Sequence, residues 1–264
     1  MLRPFKILHP ASDVESKETH GHSWADESVQ ENIELCRYQP IEAVFCKYLP
    51  KNGKILEAGC GLGRWVFYLR ERGYDVVGID LATVPLEIAK KFDPNAPLFL
   101  DDVLHSKYAD QSMAAVISLG VVEHFEEGPQ KAFAEVSRLL PRGGLFLVSV
   151  PLLNTSRALV SLKLKQLYWR IKMRKGVRYV FEEYRYPREF FENLLDNAGY
   201  DIIDTVYDEL TPPRNIGVYV DYPMFRHSTL KWQLNTLGKL CKLFLGLLGP
   251  HSTAGGMLWV CRKR

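Results

Sequence analysis

A chain of 264 residues, 47% hydrophobic and 25% charged, is long enough for one broad core with additions and has an ordinary soluble composition. No apolar run approaches the thickness of a bilayer, the first twenty residues lack the apolar stretch of a secretory signal, and five scattered cysteines without a CxxC pair speak against a disulfide framework or a zinc site; the expectation is a cytoplasmic protein with reduced thiols. The net charge of +3 hides a split, because residues 1–150 carry −5 and residues 151–264 carry +8, so the second half is suited to an anionic partner, substrate or surface.

The first 25 residues read as polar and irregular, and "DESVQENIELCRYQ" and "PIEAVFCKYL" read as two helices. A regular alternation follows. "KILEAG", "DVVGID", "APLFLDD", "SMAAVISLG" and "LFLVSVP" are short apolar strands. "GRWVFYLRERG", "VPLEIAKKF" and "PQKAFAEVSRLLPRGG" are helices between them. All-apolar strands alternating with helices predict a parallel sheet covered on both faces. Beyond Val150 the alternation loosens. "SRALVSLKLKQLYWRIKMRKG" is a predicted helix with Val160, Leu164, Leu167, Tyr168 and Ile171 on one face and Lys163, Arg170 and Arg174 off it. "YPREFFENLLDNAGY" is a helix, "DIIDTVY" a strand and "GMLWVCRK" a last strand. Between the last two strands lies a long insertion with an apolar stripe from Leu230 through Leu234, Leu237, Cys241, Phe244 and Leu245 to Leu248.

The chemistry is concentrated in "KILEAGCGLGRW". A strand, a glycine turn and a helix start make a place where backbone N–H groups approach a ligand. A dinucleotide fingerprint needs a small sixth residue, where Arg64 stands, and no GK[ST] follows for a P-loop. The carboxylate of Glu57 would repel a phosphate and suits an ammonium group. Asp80 ends the next strand, 17 residues after Gly63, where an acid can accept from both ribose hydroxyls. Asp101, Asp102 and Val103 end the third strand, where a carboxylate and an N–H can read an adenine edge. Adenosine joined to a zwitterionic amino acid, without phosphate, is S-adenosylmethionine.

At this point the chain resembles the class I S-adenosylmethionine-dependent methyltransferases, in their small-molecule branch. "LEAGCGLG", "VVGIDLA", "LGVVEHF" and "LLPRGGLFLVSVP" match four family motifs in order, over roughly Pro40 to Val150. The resemblance implies a Rossmann-like α/β fold, a seven-stranded methyltransferase sheet with helices on both faces. It implies Gly59, Cys60, Gly61 and Gly63 under the methionine part, Glu57 near its amino group, Asp80 with Leu81 at the ribose, Asp102 and Val103 at adenine, and Leu119 beside the methionine side chain. Glu123 and His124 follow the fourth strand, where the methyl group should sit. His124 is either a general base for a hydroxyl or acid acceptor or a packing residue at the next helix start. No metal is expected, because no second histidine follows before His227.

The expected organisation is a lid or tail over 1–39, with His20, His22 and Trp24 as lid residues, and an S-adenosylmethionine-binding core over 40–151. The remainder, 152–264, completes the core with 186–207 and 256–264. Its other two parts, 152–185 and 208–255, are expected to pack together as a helical cap with an apolar interior. Tyr184 and Tyr186 are either substrate contacts or packing. The expected activity is methyl transfer to a small or amphiphilic molecule, at oxygen. The alternatives are a non-catalytic cofactor-binding module and an enzyme acting on lipid or nucleic acid; nucleic acid is disfavoured because no [DN]PP[YFW] tetrapeptide follows the fourth strand. Peripheral membrane contact by the basic helices competes with the closed cap.

Overall fold

The computed structural model describes residues 2–11 and 27–264; the expected lid residues His20, His22 and Trp24 lie outside the described residues. In chain order the strands are β1 (Phe5–Pro10), β2 (Ile55–Ala58), β3 (Val76–Asp80), β4 (Leu98–Leu100), β5 (Ala115–Leu119), β6 (Leu145–Pro151), β7 (Tyr179–Arg185), β8 (Tyr200–Asp208) and β9 (Gly256–Lys263). The α-helices are α1 (Val29–Leu35), α2 (Ile41–Tyr48), α3 (Arg64–Arg70), α4 (Thr83–Phe92), α5 (Gln130–Leu139), α6 (Leu162–Arg174), α7 (Arg188–Asn197), α8 (Gly217–Asp221) and α9 (Thr236–Gly246).

Seven strands form one sheet in the order β4-β3-β2-β5-β6-β9-β8. The first five are mutually parallel, and β9 runs antiparallel to both β6 and β8. This is the seven-stranded Rossmann-like sheet that the family resemblance implies. Side chains alternate across it. In β9, Leu258 and Val260 face a core with Trp65, Phe45 and Val66, whereas Met257, Trp259 and Cys261 face a second core with Phe133, Phe146 and Phe191. Phe133 meets Phe146 and Phe191 edge-on at 5.8 and 5.9 Å, so truncating it to Ala is expected to cost about 3–5 kcal/mol. All five cysteines are free thiols.

The chain direction around the sheet reverses at β2, which lies between β3 and β5. The loops leaving the carboxyl ends of these three strands therefore gather in one crevice, the place where open α/β sheets bind ligands.

Two features depart from the sequence reading. The stretch taken as irregular contains β1, which pairs antiparallel with β7 from Phe5–Arg185 to Pro10–Tyr179 in a separate two-stranded sheet. The last part of the expected 152–185 cap is thus a strand. Ile7, Leu153, Leu162 and Trp169 make a third small core beneath α6. The other departure concerns the amphipathic helices. Val160, Leu164, Leu167, Tyr168 and Ile171, the face expected to be buried, are exposed, and so are Leu230, Leu237, Phe244 and Leu248. The closed apolar cap is therefore corrected: α6 is anchored by Leu162 and Trp169 on its other side, because that side meets β1. Among the described residues no helix is long and apolar enough to cross a membrane.

Candidate functional site

The glycine loop leaves β2 and turns under the crevice. Gly59, Gly61 and Gly63 have φ of +80°, +53° and +71°, a region that L side chains avoid. At Gly59 space is also decisive, since a Cβ there would lie 2.3 Å from Val121 Cγ2. Two N–H groups of the loop, Gly59 and Cys60, donate to Ile79 O at 2.8 and 2.9 Å, which ties the turn to β3. Asp80 braces it from the next strand end: Gly61 N–H donates to Oδ2 at 2.7 Å and Ala82 N–H to Oδ1 at 2.8 Å. A carboxylate has about four acceptor positions, so these two bonds leave capacity for two hydroxyls.

A cleft of about 570 Å³ opens above this loop. Of the residues singled out in the sequence, Glu57, Gly59, Cys60, Gly61, Asp80, Leu81, Val103, Leu119 and His124 line it. Gly63, Asp102 and Glu123 are not among its lining residues. Gly63 is the left-handed residue before α3, where a Cβ would meet Leu98. Asp102 accepts from Leu104 N–H at 2.8 Å and Asp101 from Lys107 N–H at 3.0 Å, so both carboxylates shape their own loop. Cys60 directs its thiol at Gly78, where an added Cβ would sit 2.8 Å from Sγ, and burial raises its pKa well above the ordinary thiol value. It is a small filler in a crowded turn.

The sequence reading missed Glu27, Asn32, Trp65, Val121, Phe125 and Trp232, which also line the cleft. Trp65 stands two residues after Gly63, in the first turn of the helix that the glycine loop opens. Trp232 sits in the long insertion, where no motif marks it. Its φ of +65° turns the loop sharply, and its neighbour Lys231 reaches Glu27 at 3.6 Å. Asn32 in turn donates to Glu27 at 2.7 Å, so the insertion is tied to α1 beside the cleft.

Three buried polar atoms of this one cleft have no hydrogen-bond partner: Glu57 Oε2, Trp65 Nε1 and Trp232 Nε1. Burial raises the Glu57 pKa to about 8, partly offset by the charge of Arg64. A buried carboxyl with an unmet acceptor is suited to an ammonium group. A glycine turn with no room for a Cβ is suited to a ligand passing close to backbone. An acid at the end of β3 is suited to a diol. These residues fit S-adenosylmethionine.

His124 lies in the 3-10 turn Val122–His124 after β5. Its Nδ1 is 2.8 Å from Glu182 O, in β7. A carbonyl only accepts, so Nδ1 carries the proton and Nε2 is left as the acceptor. The turn is held from β7 by Tyr184, whose hydroxyl donates to Glu126 O at 3.0 Å. Tyr186 is buried against Phe191, so both tyrosines serve packing. Glu123 is buried beneath the turn, and burial raises its pKa to about 8. Glu123, His124 and Glu183 bring ligand-type atoms within 4.8 Å of one another, but Glu183 is already paired with Arg185 at 2.5 Å, and a cation would compete with that guanidinium.

Comparison with known proteins agrees with this geometry. The family model described as a methyltransferase domain matches residues 56–148. The chain is 27% identical over 173 residues to an S-adenosyl-L-methionine-dependent Diels-Alderase of Talaromyces variabilis, covering 62% of this chain and 59% of that one. It is 28% identical over 113 residues to a tRNA (carboxymethyluridine(34)-5-O)-methyltransferase of Arabidopsis thaliana, covering 42% and 27%. The chain thus spans less than two thirds of either relative. A solved S-adenosylmethionine-dependent methyltransferase structure from Methanosarcina mazei superposes with a TM-score of 0.58 at 16% identity, over 83% of this chain and 96% of that one, which shows the fold. Residues 56–148 thus match a methyltransferase domain, the sheet has the fold of the S-adenosylmethionine-dependent methyltransferases, and the cofactor this similarity implies is S-adenosylmethionine.

Proposed function

We propose that the chain transfers a methyl group from S-adenosylmethionine to an oxygen of a small or amphiphilic acceptor, with His124 as general base. The observation that carries this reading is the Nδ1 bond of His124 to Glu182 O, which leaves Nε2 as the free nitrogen of a ring that lines the cleft. Bound S-adenosylmethionine supplies a methyl group already activated on a sulfonium. The chain's own work is then to align the acceptor and take its proton. With that group bound, His124 Nε2 would take the proton of the acceptor O–H, and the sulfonium would supply the methyl group to the acceptor oxygen and leave as the neutral thioether. Glu57 would hold the amino group of the cofactor, and Asp80 the ribose. Leu119, Val121, Phe125 and Trp232 give the cleft an apolar lining, which favours a compact acceptor with apolar surface.

A second reading keeps the cofactor without the transfer. It is favoured by the name of the Talaromyces variabilis relative, a Diels-Alderase that depends on S-adenosylmethionine. One experiment separates the two. The protein is incubated with labelled S-adenosylmethionine and a panel of phenols, carboxylic acids, amines and a tRNA pool, and S-adenosylhomocysteine is measured. Acceptor-dependent release with a hydroxyl or carboxylic acid supports the first reading. Tight binding of S-adenosylmethionine with no release on any acceptor favours the second, and release on tRNA alone overturns the small acceptor.

A further inference from the structure

The apolar residues that make α6 and α9 amphipathic point away from the protein. α6 is seated by Leu162 and Trp169 and leaves Leu164, Leu167, Tyr168 and Ile171 in solvent. α9 is seated by Leu234 before it and by Gly238, which approaches Phe225 too closely for a Cβ. It leaves Leu240, Leu243, Phe244 and Leu247 outside, the last two 67% and 78% accessible.

The two helices rest on one support. The π-helical turn Arg157–Ser161 runs directly into α6, and Arg157 is ion-paired at 2.7 Å to Asp221 at the end of α8. Tyr222 donates to Ser156 O at 3.2 Å. On the α9 side, its capping residue Asn235 donates to Met224 O at 2.9 Å, in the 3-10 turn that follows α8.

Charge selects the occupant. Residues 152–181 contain eight Lys and Arg and no acid, and residues 222–264 contain seven and no acid. Lys163, Arg170, Arg174 and Lys239 are exposed on the two helices. A second copy of this face would set like charges against each other. An RNA would use the cations and leave the leucines and Phe244 in water. An anionic bilayer takes both, since the headgroup layer pairs with Lys and Arg while the acyl boundary takes up Leu and Phe. Between β1 and α6 a groove of about 340 Å³, lined by Phe5, Leu8, Trp169 and Met173 together with Lys6 and Arg170, continues the same chemistry.

We propose that the outward faces of α6 and α9 dock this protein onto an anionic membrane surface, lying in the interface without crossing it. This does not depend on which acceptor takes the methyl group. The test is flotation of the full chain with two vesicle types, pure phosphatidylcholine and a mixture with about a third phosphatidylglycerol, a composition that gives the surface a negative potential. Flotation with the anionic vesicles alone, lost at high salt, is expected. Phe244→Glu with Leu247→Glu, and separately Lys239→Glu with Lys242→Glu, should each weaken that binding about tenfold or more. All three proteins should keep the same affinity for S-adenosylhomocysteine, which shows that they are folded and that the cofactor reading stands apart. Absence of flotation with either vesicle overturns the proposal, as does equal flotation by the variants. A wild-type dimer by light scattering that the Phe244 and Leu247 changes dissociate would assign the face to a second copy instead. Retention of RNA in place of lipid would assign it to nucleic acid.

Discussion

Arg157 Nε donates to Asp221 Oδ2 at 2.7 Å, and both side chains are buried. This pair joins the segment after β6 to the insertion between β8 and β9, the two parts expected from the sequence to form a cap. Arg157 Nη1 also donates to the carbonyls of Leu152 and Gly255 at 2.6 and 2.5 Å, which uses both of its protons. Removing one partner leaves an uncompensated charge in low dielectric. Asp221→Ala is therefore expected to lower stability by about 3–5 kcal/mol in urea titration. A double change, Arg157→Met with Asp221→Leu, should cost no more than the single change. A loss below about 1 kcal/mol for Asp221→Ala would show that the two insertions are held together elsewhere.

Glu57 and Glu123 share a raised pKa of about 8 with burial as the first cause, yet only Glu57 lines the cleft. A carboxyl raised in the folded state binds its proton more tightly there than in the unfolded chain. Its contribution to stability is full below the ordinary carboxyl range and is lost as pH rises through about 8. An ammonium ligand reverses the preference at Glu57 by favouring the carboxylate. S-adenosylhomocysteine affinity should thus rise as pH rises towards about 8, and binding below that pH should release a proton from Glu57. Calorimetry in buffers of different ionisation enthalpy reads both. Glu57→Gln should abolish the proton release, and Glu123→Gln should leave it intact. Proton release unchanged in Glu57→Gln would remove Glu57 from the ammonium site.

The core of this protein is legible because local pattern and tertiary environment agree there. Leu56, Ala58, Val77 and Ile79 are apolar in sequence and buried in a two-faced parallel sheet, and the left-handed glycines mark the turn that only glycine makes easily. The helices beyond β6 are different. Periodicity reports that Leu164, Leu167 and Ile171 share a face; it cannot report that Trp169, on the other side, meets β1. β1 itself was hidden because "FKILHP" is short and its partner β7 lies far along the chain, from Phe5–Arg185 to Pro10–Tyr179. Trp232 reaches the cleft through a tie between distant segments, Lys231 to Glu27, which no local signal announces.

Gly59 and Gly73 both have φ of +80°, but a Cβ at Gly73 would meet nothing within 4 Å whereas one at Gly59 would meet Val121 at 2.3 Å. The pair separates backbone strain from overpacking. Gly73→Ala should cost about 1–2 kcal/mol, the strain of a left-handed non-glycine residue. Gly59→Ala should cost about 1–3 kcal/mol more, because Val121 must move. It should also reduce S-adenosylhomocysteine affinity, since Val121 lines the cleft. Equal denaturation midpoints for the two variants would mean that the loop yields freely at Val121.

The role of His124 rests on a tautomer. Nδ1 is committed to Glu182 O, so any base function must run through Nε2. With an oxygen acceptor in hand, His124→Ala should lower turnover roughly 10²–10⁴-fold while S-adenosylhomocysteine affinity stays the same. His124→Asn tests the rival, structural role, because its amide can donate to Glu182 O and keep the 3-10 turn in place without offering a base. If His124 is only a packing residue, the Asn variant should recover turnover along with the melting temperature. If His124 is the base, the Asn variant should recover the melting temperature and stay as slow as Ala. Near-normal turnover in the Asn variant would end the general-base assignment.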